Sequence, residues 1–142
     1  MKNIKGCMLS TNVDWSTPKN IYNYYCDQGY LDPCPLYSCE DNLKKVYHNS
    51  KLFINPPFCD LDKWTDFIIN NMSVGLNNDI VLLMPARTDT IYFHKLLSLK
   101  PTITFLRGRL KFGNSNKPAP FPTILLSFSS FPLLSLYNTK VF

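Results

Sequence analysis

Apolar residues recur along the chain in two distinct periods, which predict helices alternating with strands. Residues 80–84 form a continuous apolar run, the pattern of a strand buried on both faces, and Pro85 ends it. From residue 61 to about residue 71 the period is helical, with Asp60 as the capping residue. The apolar positions of that helix are Leu61, Trp64, Phe67 and Ile68.

The other elements are predicted from shorter patterns and from turn-forming residues. Thr17 and Pro18 are expected to be the N-cap and first position of a helix that runs to about residue 28 and ends at Gly29. The side chains expected to face inward are Ile21, Tyr22 and Tyr25. A further helix is predicted from about residue 90 to residue 99. Strands are predicted at residues 30–32, 51–54, 102–106, 109–112 and 123–128.

This order of elements predicts an α/β fold, with parallel strands first and antiparallel strands towards the C-terminus. No repeat or low-complexity linker divides residues 1–142, so one domain is expected, with residues 131–142 adding at most an edge strand. Ligands of open α/β sheets bind at the carboxyl ends of the strands. Asp32, Asn55 and Pro85 each follow a predicted strand, so all three are expected on one rim.

The tetrapeptide Asn55-Pro56-Pro57-Phe58 is the strongest candidate for chemistry. A loop of this composition is suited to bind the N6 amino group of adenine. That group is a poor nucleophile because its lone pair is delocalised into the ring. Two acceptors that bind both N6 hydrogens favour a pyramidal nitrogen, and the Asn55 side-chain carbonyl and the Pro56 backbone carbonyl are suited to this. Consecutive prolines hold that backbone in place. Phe58 offers a ring on which a flipped-out base can stack.

Charge is divided unevenly along the chain, whose formal net charge is +5. Residues 1–79 carry a net charge of −2, and residues 80–142 carry +7. A basic second half favours contact with a polyanion such as DNA. The side chains expected to contact phosphates are Arg87, Arg109, Lys111 and Lys117. His48 and His94 are interpreted as structural or surface residues.

The five cysteines include no C-x-x-C pair, and their odd number favours a reducing, intracellular setting. A zinc site built from Cys26, Cys34, Cys39 and His48 is conceivable, but its spacings are not those of known zinc fingers. We therefore expect no metal. The most apolar segment, residues 124–137, contains serines and Pro132 and is too short to span a bilayer, so no membrane anchor is expected.

Several motifs occur in an order that resembles the phage-type DNA N6-adenine methyltransferase (Dam-like) family. The resemblance covers about residues 14–128. It is carried, in sequence order, by Asp14-Trp15-Ser16-Thr17-Pro18, Leu31-Asp32-Pro33-Cys34, Ile54 to Phe58, Leu83 to Thr90, Arg107-Gly108-Arg109-Leu110-Lys111-Phe112 and Ala119-Pro120-Phe121-Pro122.

The resemblance implies a compact, reduced Rossmann-like methyltransferase sheet that binds S-adenosylmethionine. It implies methylation of adenine N6 in double-stranded DNA, with the target base flipped out, by a protein of a phage acting in the host cytoplasm. It also assigns Trp15, Thr17, Pro18 and Asp32 to the cofactor. Two features depart from larger methyltransferases: twenty-two residues separate Asp32 from Asn55, and the glycine-rich cofactor turn is missing from a chain with five glycines.

Two alternatives remain open from the sequence. The short cofactor region favours a catalytically degenerate fold that only binds nucleic acid or a partner protein. The Asn-Pro-Pro-aromatic loop is also compatible with methyl transfer to RNA adenine or to a glutamine amide, although the basic second half disfavours a protein acceptor.

Overall fold

The computed structural model describes residues 15–35, 39–130, 137–140 and 142, which form a mixed sheet with helices on both faces. The strands are β1 (Lys51–Ile54), β2 (Asp79–Pro85), β3 (Thr102–Leu106), β4 (Thr123–Phe128) and β5 (Tyr137–Lys140). The helices are α1 (Lys19–Cys26), α2 (Cys39–Asn42), α3 (Leu61–Asn71) and α4 (Ile91–Leu97). A 3₁₀ helix, Phe58–Asp60, leads into α3.

The described strands form one sheet in the order β1-β2-β4-β3-β5. β1 is parallel to β2, β4 is antiparallel to both β2 and β3, and β5 is parallel to β3. The predicted α/β class, with parallel strands first and antiparallel pairing later, is therefore confirmed. The arrangement is compatible with a reduced Rossmann-like fold, whereas the single-domain assignment of residues 1–142 stays a prediction.

One face of the sheet is covered by α3 and α4. Alternate residues of the strands point to this side, where they pack against Trp64 and Phe67 of α3 and Leu96 of α4. The helical period predicted for residues 61–71 is confirmed, because all four of its apolar positions are buried. Asp60 stands at the N-cap position but caps nothing with its side chain, which instead pairs with Lys63 at 2.9 Å.

The opposite face is covered by α1 and by the loop that joins β3 to β4. Ile21 and Tyr25 of α1 pack there against Phe53 and Leu83, and the Tyr25 and Phe53 rings stack at 4.7 Å. Because residues of β2 alternate between the two covered faces, the whole strand is apolar, as predicted. Tyr22 was predicted to face inward, but it is 43% exposed, since the buried face of so short a helix is occupied by Ile21 and Tyr25, one turn apart.

Four other sequence predictions are wrong in detail. Helix α1 begins after Pro18, and Thr17 does not cap it. Residues 30–32 form only a single parallel bridge, between Leu31 and Leu52. Residues 109–112 are not a strand, because the backbone turns at Gly108, whose φ is +84°, and then folds back with Ala119 donating to Leu110. The helix predicted at 90–99 is shorter, and β5 at the described end of the chain is an edge strand, as suggested.

The strand directions bring several chain segments to one rim of the sheet. β3 runs in the same direction as β1 and β2, because β4 is antiparallel to both β2 and β3. Asn55, Ala86 and the loop of residues 107–122 therefore all lie at the carboxyl ends of strands. The position predicted for a ligand site therefore contains Asn55 together with the basic residues of the loop of residues 107–122.

Two further expectations concern metals and membranes. Among the residues that are described, no group of three or more His, Cys, Asp and Glu side chains is placed to hold a metal ion. The Cys39 side chain, one proposed zinc ligand, lies outside the described set. No helix in the described parts of the chain has both the length and the apolar character needed to cross a membrane.

Candidate active site

The carboxamide of Asn55 is held in one orientation at the end of β1. Its Nδ2 donates to the backbone carbonyl of Trp15 at 3.0 Å and to Oγ1 of Thr17 at 3.0 Å. Because a backbone carbonyl only accepts, the nitrogen and not the oxygen must face Trp15. Both amide hydrogens are thereby used, and no donor among the described residues reaches Asn55 Oδ1. The half-buried Asn55 therefore presents an oriented acceptor.

The two prolines after Asn55 differ in hydrogen bonding and in burial. The Pro57 carbonyl accepts a hydrogen bond from the backbone N–H of Asp60 at 2.9 Å, which begins the 3₁₀ helix. No described backbone N–H donates to the Pro56 carbonyl. The Pro56 ring is buried and Pro57 is exposed, so the loop is anchored by its first proline. A second acceptor is thus available one residue after Asn55.

Phe58 belongs to an aromatic cluster with Trp15, Phe112 and Phe121. Its ring meets Phe112 and Phe121 edge to face, at centroid distances of 5.9 and 5.4 Å, and lies 5.9 Å from Trp15. Trp15 stacks on Phe121 at 5.9 Å with an interplanar angle of 23°. Such offset and edge-to-face contacts stabilise the cluster beyond simple burial. Only Phe112 is fully buried, so the other three rings keep accessible surface.

The loop of residues 107–122 is hydrogen-bonded to the rim that carries Asn55 at two points. Gly113 N donates to the carbonyl of Ser16 at 2.9 Å, and Ala86 N donates to the carbonyl of Pro122 at 2.9 Å. These bonds join the loop to the segment that holds Asn55 and to the end of β2. Phe112 and Phe121 enter the aromatic cluster from this loop.

The predicted phosphate contacts are all exposed at this rim. Arg109, Lys111 and Lys117 lie on the loop of residues 107–122, and Arg87 follows β2. None of the four forms a salt bridge with another described residue, including Arg87 with the nearby Asp89. Unneutralised cations at one edge produce a positive potential that attracts a polyanion.

Asp32 lies at the surface after the single bridge of Leu31. Its Oδ1 accepts a hydrogen bond from the backbone N–H of Cys34 at 2.8 Å. Loss of water around the carboxyl raises the pKa of Asp32 above its usual value, and the Cys34 hydrogen bond offsets part of that rise. Asp32 is therefore a carboxylate whose charge the protein only partly compensates.

Comparison with known families identifies the family of the chain. A family model described as DNA N-6-adenine-methyltransferase (Dam) matches residues 8–121. The chain belongs to the Dam family. The family resemblance seen in the motifs is thus confirmed, and the match contains Trp15, Asn55 and the basic loop up to Phe121. No curated protein matches the chain.

Three features of the candidate site in this Dam-family chain were not predicted from its sequence. Thr17 was expected to cap a helix, whereas its Oγ1 accepts a hydrogen bond from Asn55 Nδ2. Phe112 and Phe121 lie in motifs that resemble the family, but their ring contacts with Trp15 and Phe58 form only in the tertiary structure. Arg107 is exposed on the same loop as the predicted phosphate contacts, and the excess of basic residues in that loop was the signal for it.

Replacing Asp32 by asparagine is expected to raise the unfolding temperature of this Dam-family chain slightly at pH 7. Because its pKa is raised in the folded state, the ionised Asp32 lowers stability as the pH rises through that value. The gain should disappear in acid, where Asp32 is protonated in both states. Thermal unfolding of both proteins from acidic to neutral pH measures this.

Asp62 provides the matched control for that measurement. It is exposed in the first turn of α3, where a negative charge interacts favourably with the helix dipole. Asp62→Asn should therefore lower the unfolding temperature at pH 7, the opposite sign. An Asp32→Asn protein that is less stable than the wild type at neutral pH would contradict the interpretation of Asp32.

Proposed function

We propose that this protein transfers the methyl group of S-adenosylmethionine to the N6 amino group of adenine in double-stranded DNA. The observation that carries the proposal is the orientation of the Asn55 carboxamide. Both of its hydrogens are bound within the protein, which leaves Oδ1 as an acceptor at the rim where ligands of such sheets bind. Membership of the Dam family supports the same reaction.

In this proposal Asn55 and Pro56 bind the adenine amino group. Asn55 Oδ1 accepts one N6 hydrogen and the Pro56 carbonyl accepts the other, so the nitrogen becomes pyramidal and its lone pair is directed away from the ring. The two acceptors are held before the substrate arrives, which spares reorganisation during the reaction. The methylated nitrogen is acidic and loses its proton to water, so no strong base is required.

Phe58 is proposed to stack on the flipped-out adenine. Its ring is half-buried, and its contacts with Phe112 and Phe121 are edge to face. Stacking of a base on an aromatic ring contributes about 1–3 kcal/mol and needs no hydroxyl group. The phenylalanine ring is therefore sufficient for this contact.

S-adenosylmethionine is proposed to bind at Trp15, Thr17, Pro18 and Asp32, of which Asp32 suits its polar end in chemical type. Asp32 is a surface carboxylate that can accept from an ammonium or a hydroxyl, and Trp15 keeps accessible ring surface. Thr17 and Pro18 lie between Trp15 and α1, and Thr17 is hydrogen-bonded to Asn55. When bound, the cofactor supplies an electrophilic methyl group on a sulfonium. Asp32→Asn should weaken cofactor binding even while it stabilises the fold.

Arg87, Arg109, Lys111 and Lys117 are proposed to bind DNA phosphates beside the flipped base. They are exposed, carry no salt bridge to another described residue, and lie at the same rim as Asn55. Phosphate contacts position the duplex without reading its sequence.

We also propose that the protein acts in a reducing cytoplasm, as its odd number of cysteines suggests, and that it derives from a phage.

The proposal is tested by incubating the protein with unmethylated duplex DNA and S-adenosylmethionine carrying a labelled methyl group. We expect label in DNA, recovered as N6-methyladenine after digestion to nucleosides. Matched RNA of the same sequence and a glutamine-containing peptide serve as competing acceptors. Label found only in RNA or peptide would contradict the DNA assignment while retaining the chemistry.

A second candidate is a catalytically inactive fold that only binds nucleic acid or a partner protein. Its support is the short chain between Asp32 and β1, in which the only described helix is the four-residue α2. Binding of the cofactor discriminates between the two, because a ligand that binds only the folded state raises the unfolding temperature. A folded protein that binds DNA but shows no shift with S-adenosylmethionine would support the second candidate.

A further inference from the structure

We infer that Thr17 is a positioning residue for Asn55, which sets the direction of the catalytic acceptor without touching the substrate. The inference rests on the proposed function, in which Asn55 Oδ1 binds the adenine amino group. Its basis is the pair of 3.0 Å hydrogen bonds from Asn55 Nδ2 to Thr17 Oγ1 and to the Trp15 carbonyl. Two acceptors on one nitrogen determine the plane of the carboxamide as well as its direction.

The local sequence makes the Thr17 hydroxyl available for this contact. A threonine before a helix normally caps it, but α1 has Pro18 at its N-cap position and no side-chain cap. Proline also disfavours helical conformation in the residue before it, so Thr17 stays outside the helix. Its Oγ1 is therefore directed to Asn55 across the sheet edge instead of to the first turn of α1.

The segment that carries both acceptors is itself held in place. The Trp15 ring packs against Phe112 and Phe121, and the Ser16 carbonyl accepts from Gly113 N at 2.9 Å. If Thr17 Oγ1 is removed, only the Trp15 carbonyl remains to orient Asn55. The carboxamide then rotates more freely about its terminal torsion, and less of the population presents Oδ1 to the substrate.

The family resemblance assigned Thr17 to the cofactor instead, and kinetics separate the two roles. Thr17→Val keeps the shape of the side chain and removes the acceptor. We expect kcat to fall about 3- to 10-fold, the effect of one lost hydrogen bond, with KM for S-adenosylmethionine almost unchanged. Thr17→Ser, which restores the oxygen, should recover most of kcat. Thr102→Val, at the start of β3 and therefore away from the carboxyl ends of the strands, is the control and should match the wild type in kcat.

A double-mutant cycle tests whether Thr17 acts through Asn55. In an Asn55→Ala background there is no carboxamide to orient, so adding Thr17→Val should produce no further loss in single-turnover rate. A role in cofactor binding or in general folding would instead persist in that background. An undiminished effect of Thr17→Val in the double variant would overturn the inference.

Nuclear magnetic resonance provides a readout that does not depend on activity. With asparagine labelled by ¹⁵N, the two Nδ2 hydrogens of Asn55 should exchange slowly with water in the wild type, because both are hydrogen-bonded. In Thr17→Val one of them should exchange several-fold faster, and in Thr17→Ser it should be protected again. Equal exchange in all three proteins would overturn the anchoring itself.

The outcomes also distinguish this inference from the proposed function. A folded wild-type protein that transfers no methyl group to DNA overturns the proposed function and the role of Thr17 in it. An active wild type whose kcat is unchanged by Thr17→Val overturns the positioning role alone. A rise in KM for S-adenosylmethionine at constant kcat would return Thr17 to the cofactor.

Discussion

Replacement of Asn55 by alanine is expected to lower kcat for DNA methylation about 100- to 1000-fold. Removal of one pre-oriented hydrogen-bonding group from an active site has an effect of this size, because the lost interaction is strongest in the transition state. KM for DNA should change little, since phosphate contacts supply most of the binding. Single-turnover assays with labelled S-adenosylmethionine measure the chemical step directly.

The control for this variant must separate loss of the acceptor from loss of the fold. Asn55→Ala also removes two hydrogen bonds from the Trp15–Thr17 segment, so thermal unfolding should be recorded beside activity. Asn70→Ala, at an exposed position of α3, removes an asparagine that lies away from the rim and should retain full activity. A folded Asn55→Ala protein with normal kcat would exclude Asn55 from the reaction.

Neutralising Arg109, Lys111 and Lys117 together, as glutamines, is expected to weaken DNA binding strongly. Each phosphate contact contributes about 0.9 to the slope of log affinity against log salt concentration, so the triple variant should lose roughly 3 units of slope. Because all three residues are exposed and form no described salt bridge, the fold should keep its stability. Binding titrations at several salt concentrations give both quantities.

A matched triple variant decides whether position or total charge matters. Lys44, Lys45 and Lys100 are also exposed, but Lys100 precedes β3, and Lys44 and Lys45 precede β1, away from the carboxyl ends of the strands. Their replacement by glutamine removes the same net charge and should alter the slope much less. Equal slopes for the two triple variants would show that the loop of residues 107–122 is not the DNA-binding surface.

The spacing of apolar residues along the sequence predicted the helices and strands whose buried side chains recur at a regular period. β1, β3 and β4 and helix α3 have the predicted bounds, because each is defined by apolar residues whose spacing matches its own geometry. The predictions failed at 30–32 and 109–112, where strand-like composition was not supported by a partner strand. In the second segment, Phe112 packs into the aromatic cluster instead of joining the sheet.

The sequence predicted the motif and the charged residues of the candidate site, but it did not predict the contacts between them. The Asn55–Phe58 tetrapeptide and the basic second half were visible in the sequence because motif and charge are local properties. The order of motifs also predicted the Dam family, which the family match confirms. The roles of the individual residues stay predictions until the variants above are measured.

The sequence by itself determined the α/β class, the bounds of β1, β3 and β4, and the family, because hydrophobic period and motif order are properties of the chain alone. Only the tertiary structure decided that Thr17 and the Trp15 carbonyl orient Asn55, and that Phe112 and Phe121 join Phe58. The physical reason is sequence separation. These contacts join residues about forty or more positions apart, and folding of the sheet between them decides which partners meet.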